Sequence, residues 1–231
     1  MASIAENIMR VKERIHRAAE RAGRSPEEIR LVAVSKTVEP ERILAALKEG
    51  IRILGENYVQ EAQKKIPLVG AEVSWHFIGH LQSNKVKPAL RLFSCIQSVD
   101  RLSLAEELSR QARLQGKVMP IFLQVHLSEE KSKFGAREEE LLDLAGRIAT
   151  MDGLSIRGLM TMPPYFDNPE EARPYFVRLR KLRESLLAQK IPGIQSLELS
   201  MGMSNDFEVA IEEGATMVRV GTAIFGTRPA K

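Results

Sequence analysis

The stretch L-V-A-V-S-K-T at residues 31–37 decides the fold of this chain. Residues 31–35 are a continuous run of small, mostly apolar residues, which predicts a short strand buried on both faces in a parallel sheet. Lys36 follows directly, so we expect its side chain at the carboxyl end of that strand, where barrel-type α/β folds place their active sites. Such a lysine is either a surface cation or an amine in a partly desolvated pocket, where a lowered pKa allows a Schiff base with an aldehyde.

Composition and charge bound the class of protein. The chain has 231 residues, of which 44% are apolar and 28% charged, typical of one large globular α/β domain or two small ones. The net charge is +4, and no basic block is interleaved with aromatic residues, so no nucleic-acid partner is expected. Cys95 is the single cysteine, which excludes an internal disulfide and predicts a reducing, cytoplasmic location. Charges throughout residues 1–24 argue against a signal peptide or a membrane span, and no membrane partner is expected.

Eight apolar segments alternate with helical ones along the chain. This alternation, with connections of a few residues, predicts an α/β fold, a (β/α)8 TIM-type barrel formed by residues 1–231 as a single domain. An open doubly wound sheet is the alternative, but no glycine-rich dinucleotide turn follows the first strand, which favours the barrel. The predicted strands are residues 31–35, 52–54, 75–78, 94–99, 118–127, 155–160, 197–200 and 217–221.

The chain starts with a helix rather than a strand. Apolar residues recur at helical spacing from Ile4 to Ala22, and Ser3 with Glu6 offers a capping box at the start. No helix of useful length follows the last predicted strand. We therefore expect this extra N-terminal helix to occupy the place of the eighth barrel helix.

Two late stretches predict an anion site. S-M-G-M-S-N-D at residues 200–206 follows the seventh strand, and R-V-G-T-A-I-F-G at residues 219–226 spans the end of the eighth. Small residues let the backbone approach a ligand, and a helix N-terminus offers unpaired N–H groups that suit an anion. In barrels the loops after strands seven and eight are where phosphate groups usually bind. The alternative is that these residues only form turns and an N-cap.

A lysine amine on the first strand and a phosphate site after the last two define a ligand with an aldehyde and a phosphate. Pyridoxal 5′-phosphate (PLP) has both groups. Arg219, two residues before Gly221, would then lie near the pyridine nitrogen, where a guanidinium can only donate and keeps that nitrogen unprotonated. A neutral pyridine is a poor electron sink, so little carbanion chemistry is expected. The alternative for Arg219 is an ion pair at a strand end.

The chain resembles the pyridoxal phosphate homeostasis protein family, single-domain PLP-binding barrels related to the alanine racemase N-terminal domain. The resemblance covers nearly the whole chain. It rests on the motifs L-V-A-V-S-K-T (31–37), G-E-N-Y-V-Q-E (55–61), W-H-F-I-G-H-L-Q-S-N-K (75–85), G-L-M-T-M (158–162), L-S-M-G-M-S-N-D-F (199–207) and V-R-V-G-T-A-I-F-G (218–226).

The resemblance implies a set of cofactor-binding residues. Lys36 would carry PLP as an internal aldimine, and Arg219 would face the pyridine nitrogen. For the phosphate contact Ser204 is favoured over Ser200. The resemblance extends to Lys133-x-Gly135, so Lys133 is a candidate for a second amine that receives the aldehyde transiently. The full implied set is Lys36, Asn57, His80, Ser200, Ser204, Arg219, Gly221 and Thr222.

The implied role is a cytoplasmic PLP-binding protein that maintains intracellular PLP (vitamin B6) homeostasis without dedicated turnover, with PLP-requiring apoenzymes as partners. A monomer is expected, because no dimerising domain is evident in the sequence. The main alternative is a PLP-dependent amino-acid racemase. Alanine racemases use a second base, a tyrosine from an additional domain, and none of Tyr58, Tyr165 and Tyr175 is evident as one. A Schiff-base aldolase is more distant. His76 and His80 share a strand region at a spacing that does not bring them to one metal, so no metal is expected.

Overall fold

The computed structural model describes residues 2–70, 72–128 and 134–227. Within these ranges the chain forms nine parallel strands. They are β1 (Arg30–Val34), β2 (Ile53–Glu56), β3 (Ser74–Phe77), β4 (Cys95–Val99), β5 (Met119–His126), β6 (Ala136–Arg137), β7 (Leu154–Met160), β8 (Glu198–Ser200) and β9 (Met217–Val220).

Eight of these strands close into a barrel. The order along the sheet is β4-β3-β2-β1-β9-β8-β7-β5, and β4 also pairs with β5, so the ring has no free edge. The predicted TIM-type barrel is therefore confirmed, and the open doubly wound sheet is excluded because it would leave two edges. The two-residue strand β6 pairs with Val125 and His126 of β5 outside the ring. It is not among the eight predicted strands. A short 3₁₀ turn follows it, and the next helix begins at Leu141.

The helices cover the outside of the barrel. They are α1 (Ile4–Arg21), α2 (Pro40–Lys48), α3 (Val59–Val69), α4 (Val86–Leu92), α5 (Leu102–Leu114), α6 (Leu141–Ala149), α7 (Arg173–Ala188), α8 (Phe207–Glu212) and α9 (Thr222–Phe225). None of the helices in the described part of the chain is both long and apolar enough to cross a lipid bilayer.

The N-terminal helix lies where the eighth barrel helix was expected. α1 starts with the predicted capping box: Ser3 Oγ accepts from Glu6 N, and Glu6 Oε2 accepts from Ser3 N at 2.8 Å. Its apolar face, which includes the buried Ile8, packs against α2, α8 and α9. α9 has only four residues and cannot cover the last strand alone. The chain therefore uses its first helix to close the outer layer.

The barrel interior contains both apolar and polar side chains. A small apolar cluster consists of Val32, Cys95, Phe122, Met160 and Met217. A second set of inward-facing side chains is polar although buried: His76, Gln97, Ser200 and Arg219. Buried polar groups are costly unless they are hydrogen-bonded. Their pairing, described below, orders the part of the barrel beneath the mouth.

Candidate functional site

Lys36 stands in a tight turn at the mouth of the barrel. β1 ends at Val34, one residue earlier than predicted, although Ser35 N still donates to Gly55 O at 3.0 Å. Val38 N donates to Ser35 O at 3.0 Å and closes the turn around Lys36 and Thr37. The Lys36 side chain is half-buried and lines a cavity. The strand-end position that the sequence predicted is thus a turn position two residues beyond the strand.

One cavity, named the main cavity here because it contains Lys36, brings together five of the predicted residues. It has a volume of about 540 Å³, within the range of small-molecule sites, and lies at the carboxyl ends of β1, β8 and β9. The five predicted residues are Lys36, Ser204, Arg219, Gly221 and Thr222. The remaining lining residues, not predicted, are Val34, Tyr165, Phe166, Pro169, Ala172, Met203, Asn205, Asp206 and Ala223.

Ser204 joins the two late turns of the barrel. Its Oγ accepts the N–H groups of Gly221, at 3.3 Å, and Ala223, at 3.2 Å. The hydroxyl accepts in both bonds, so its own proton is left for a ligand in the cavity. Asp206 supports the same loop, because its carboxylate accepts from Met203 N at 2.6 Å. Burial raises the pKa of Asp206, while the Met203 N–H and the charge of Arg219 oppose the shift.

Gly202 has a role different from the one expected of it. The sequence suggested that small residues here allow close approach to a ligand. In the structure Gly202 has φ of 90°, and a Cβ on it would lie 2.6 Å from Ala210 Cβ and 2.9 Å from Phe207 Cα. The glycine therefore serves the packing of this loop against α8.

Arg219 is buried beneath the cavity and held by two acceptors. Its Nη1 donates to Ser200 Oγ at 2.7 Å, and its Nη2 donates to Thr161 O at 2.8 Å. Burial lowers the pKa of Arg219 to about 10, with Asp206 opposing the shift, so the guanidinium stays charged at neutral pH. Its hydrogen-bond partners here are a hydroxyl and a carbonyl rather than a carboxylate, unlike the ion pair considered as an alternative. The remaining N–H groups of this cavity-lining side chain can serve a ligand.

Ser200 supports Arg219 instead of lining the cavity. Its Oγ is fully buried and donates to Gln97 Oε1 at 2.6 Å, and Gln97 Nε2 donates to His76 Nδ1 at 2.8 Å. Because Nδ1 accepts, the proton of His76 lies on Nε2. Burial, assisted by Arg30, lowers the pKa of His76 to about 4, which keeps the imidazole neutral. Sequence reasoning missed Gln97; the signal was a polar residue inside the buried strand 94–99.

Asn57 and His80 line a second cavity and not the one that contains Lys36. This cavity, about 480 Å³, lies between the loops after β2 and β3. His80 stacks on Phe134 with the ring centroids 3.7 Å apart. Burial lowers the pKa of His80, opposed by Asp100. The two loops meet at Gly79, where a Cβ would lie 2.3 Å from Asn57 O, so only glycine fits.

The other candidates fall in different places. Of the tyrosines, Tyr165 lines the main cavity at its exposed rim, Tyr58 lines the second cavity, and Tyr175 packs against Phe166. Lys133 lies outside the described residues. Within residues 2–70, 72–128 and 134–227, no three or more histidine, cysteine, aspartate or glutamate side chains are arranged to hold a metal ion.

Comparison with known proteins identifies the family. Residues 4–229 match the family described as alanine racemase, N-terminal domain. The pyridoxal phosphate homeostasis protein of Aquifex aeolicus is 45% identical over 224 residues, which cover 96% of this chain and 97% of that protein. The protein of the same name from Pseudomonas aeruginosa is 44% identical over 229 residues, covering 99% and 97%.

A solved structure is similar to this chain in both fold and sequence. PipY of Synechococcus elongatus, described with PLP bound, superposes with a TM-score of 0.86 at 35% identity, covering 97% of this chain and 100% of that one. The matches extend over nearly the full length of each protein. The chain therefore belongs to the pyridoxal phosphate homeostasis protein family, within the alanine racemase N-terminal domain group.

Proposed function

We propose that this protein binds PLP in the main cavity, holds it as an aldimine on Lys36, and maintains intracellular PLP homeostasis without dedicated catalytic turnover. One observation carries the proposal: a lysine amine, a buried guanidinium and a serine joined to two backbone N–H groups line the same cavity. These are the groups that an aldehyde, a pyridine nitrogen and a phosphate require. The name of the relatives and the PLP-bound PipY structure support the same conclusion.

The residues present fit the cofactor. Lys36 would supply the amine, which adds to the aldehyde carbon and forms a C=N bond with release of one water. Ser204, Gly221 and Thr222 would hold the phosphate at the turns after β8 and β9. Arg219, charged in its buried position, would donate to the pyridine nitrogen. When bound, PLP supplies an electrophilic carbon and an electron sink, and the sink is weak while the ring nitrogen is unprotonated.

Asn57 and His80 have an indirect role in the proposed site. They line a neighbouring cavity at the same end of the barrel, so we propose that they bound the approach to the site instead of contacting the phosphate. Ser200 acts through Arg219. PLP-requiring apoenzymes remain the proposed recipients, the cytoplasm the proposed location and a monomer the proposed state.

A racemase is the second candidate, favoured by one observation. Tyr165 lines the main cavity, and a tyrosine is a possible second acid–base group. The side chain is 75% exposed at the rim, however, and water competes for its proton there. Asp206, a carboxylate that also lines the cavity, accepts a hydrogen bond from Met203 N. Because Tyr165 is exposed to water and Asp206 is already hydrogen-bonded, we favour the binding role over catalytic turnover.

Borohydride reduction tests both halves of the proposal. The purified protein should absorb in the visible range as a protonated aldimine, and reduction followed by peptide mapping should place the pyridoxyl group on the peptide containing Lys36. Lys36→Ala should lose most of this absorbance with an unchanged circular dichroism spectrum, because a half-buried turn residue contributes little to the core. A colourless protein, or a label mainly on another lysine, would contradict the PLP assignment. Racemisation of L-alanine faster than about 1 s⁻¹, an ordinary enzyme rate, would favour the racemase.

A further inference from the structure

A buried charged cluster lies between the barrel wall and α3, directly behind the turn that carries Lys36. It consists of Ser35, Glu56, Glu61 and Lys65. Glu56 is 0% exposed and Lys65 only 6% exposed. The Lys65 ammonium donates to Glu56 Oε1 at 3.0 Å, to Glu61 Oε1 at 2.5 Å and to Ser35 O at 2.6 Å, and Ser35 Oγ donates to Glu56 Oε1 at 2.7 Å.

The cluster hydrogen-bonds to the backbone on both sides of Lys36. On one side, Lys65 holds the carbonyl of Ser35. On the other, Glu61 Oε1 accepts the N–H of Thr37. Lys36 therefore lies between two backbone groups, Ser35 O and Thr37 N, that side chains of α3 hold by hydrogen bonds. Its own backbone position is set by side chains that do not line the main cavity.

The backbone at Thr37 needs such a restraint. Thr37 has φ of 60°, in the left-handed region, where β-branched residues are rarely found. Such conformations persist only when the surrounding structure holds them, and they concentrate at functional sites. The hydrogen bond to Glu61 is the contact that holds the Thr37 amide in this orientation.

Stability alone does not account for the cluster. Charges buried between a sheet and a helix lose their hydration, and apolar side chains of similar volume are often at least as stable. The cost is visible at Glu56, where burial raises the pKa against the opposing charge of Lys65. What the charged groups provide, and apolar ones would not, is a directional hold on the backbone of the turn.

We infer that Glu61, Lys65 and Glu56 are positioning residues that fix the turn at residues 35–37 and so direct the Lys36 amine into the cavity. The inference rests on the proposed function, since it assigns the cluster to aldimine formation at Lys36. It predicts that loss of the Glu61 carboxylate disturbs the covalent step and leaves non-covalent vitamer binding intact.

The test compares two ligands in the full-length protein. In Glu61→Ala, PLP affinity and the amplitude of aldimine absorbance should fall about tenfold, the effect of losing one hydrogen bond to a charged group. Pyridoxamine 5′-phosphate has no aldehyde, so its affinity should stay within about twofold, well under the roughly 1.4 kcal/mol that a tenfold change represents. Glu61→Gln retains an acceptor oxygen and should recover most of the loss. Lys64→Ala, an exposed neighbour on α3, is the matched control and should behave as the unmodified protein.

A second variant reports on the strained backbone. Thr37→Gly in the Glu61→Ala background should restore part of the aldimine signal, because glycine adopts positive φ freely. In the cofactor-free protein, the Thr37 amide should exchange with solvent at least tenfold faster in Glu61→Ala than in the unmodified protein. If Glu61→Ala does not fold, Glu61→Met, which keeps the volume and lacks the acceptor, carries the same expectations.

Three results would overturn the inference: unchanged PLP binding in Glu61→Ala, equal losses for both vitamers, or unchanged exchange at Thr37. Failure of the proposed function is a different result. In that case the unmodified protein itself forms no aldimine at Lys36. The exchange rate at Thr37, measured without cofactor, then still decides whether Glu61 holds the turn.

Discussion

The side chains at the barrel mouth fall into two groups: some line the main cavity, and others hydrogen-bond to the side chains that line it. Ser204 belongs to the first group and Ser200 to the second, although the two are only four residues apart and both were predicted to bind the cofactor. The difference arises because Ser200 ends β8 and points into the barrel, where Arg219 and Gln97 use both of its hydrogen-bonding functions.

The phosphate assignment predicts a selective effect of Ser204→Ala. Removing the hydroxyl should weaken PLP binding by about 1–2 kcal/mol, the typical loss of a hydrogen bond to a charged group. Equilibrium titration followed by absorbance measures the change. Pyridoxal, which lacks the phosphate, is the control ligand and should bind almost as well as to the unmodified protein. Equal losses for the two ligands would mean that the phosphate lies elsewhere.

Ser200→Ala should instead weaken the binding of PLP and of pyridoxal to the same extent. The substitution leaves Gln97 Oε1 without its donor and Arg219 Nη1 without its acceptor in a buried region. We expect the free energy of unfolding to fall by about 1–3 kcal/mol, the cost of unsatisfied buried groups. Denaturant unfolding and parallel titrations with PLP and pyridoxal check this. A loss confined to PLP would show that Ser200 contacts the phosphate after all.

Among the secondary-structure elements, α1 occupies the position of the eighth barrel helix although it is the first helix of the chain. It packs against α9, and Asn7 Nδ2 donates to Ile224 O there at 2.9 Å. α9 starts at Thr222, a residue that lines the main cavity. The N-terminal helix therefore supports the last turn of the site from outside.

This support predicts that a core substitution in α1 affects both stability and binding. Ile8 is 1% exposed, so Ile8→Ala should lower the free energy of unfolding by about 2–5 kcal/mol, the range for such cavities. PLP binding should weaken as well, through α9. Met9→Ala, at a neighbouring side chain that is 64% exposed, should change stability by no more than about 0.5 kcal/mol. Urea denaturation of both variants measures the contrast; similar losses would contradict the packing role of α1.

For the molecule as a whole, the buried His76 predicts acid sensitivity. Its pKa is about 4 in the folded protein, whereas the unfolded chain regains the ordinary value of about 6.5. Between these values the unfolded state binds more protons, so stability is fully present above about pH 6.5 and is lost as the pH falls toward 4. The loss should reach about 3 kcal/mol, since each pKa unit corresponds to about 1.4 kcal/mol.

Urea unfolding at pH 7 and pH 4.5 measures this loss. His76→Gln carries no titrating group and keeps an amide in the barrel, so its stability should fall less over the same interval. His16→Gln is the control, because His16 is exposed on α1. If His76→Gln and the unmodified protein lose the same stability between these pH values, His76 is not the group responsible.

Much of the architecture was readable from local pattern. Strands of small apolar residues alternating with capped amphipathic helices specify a parallel barrel because each element carries its own period and end signals. The strand limits differ by one or two residues from those predicted, as at Ser35, which leaves the strand for the turn. β6 was not predicted because two residues are too few to show the alternating pattern of a strand. Its strand conformation depends on pairing with β5.

The site was predicted in its parts, and tertiary structure decided how they combine. Motifs located Lys36, Ser204, Arg219, Gly221 and Thr222, which closure of the barrel then brought to one cavity. Only the folded chain separates Asn57 and His80 into a neighbouring cavity, turns Ser200 toward Arg219, and places Lys65 of α3 behind the Lys36 turn. The physical reason is that chemistry-bearing residue types are visible in sequence, whereas hydrogen bonds between residues distant in the chain exist only once the sheet has closed and the helices have packed on it.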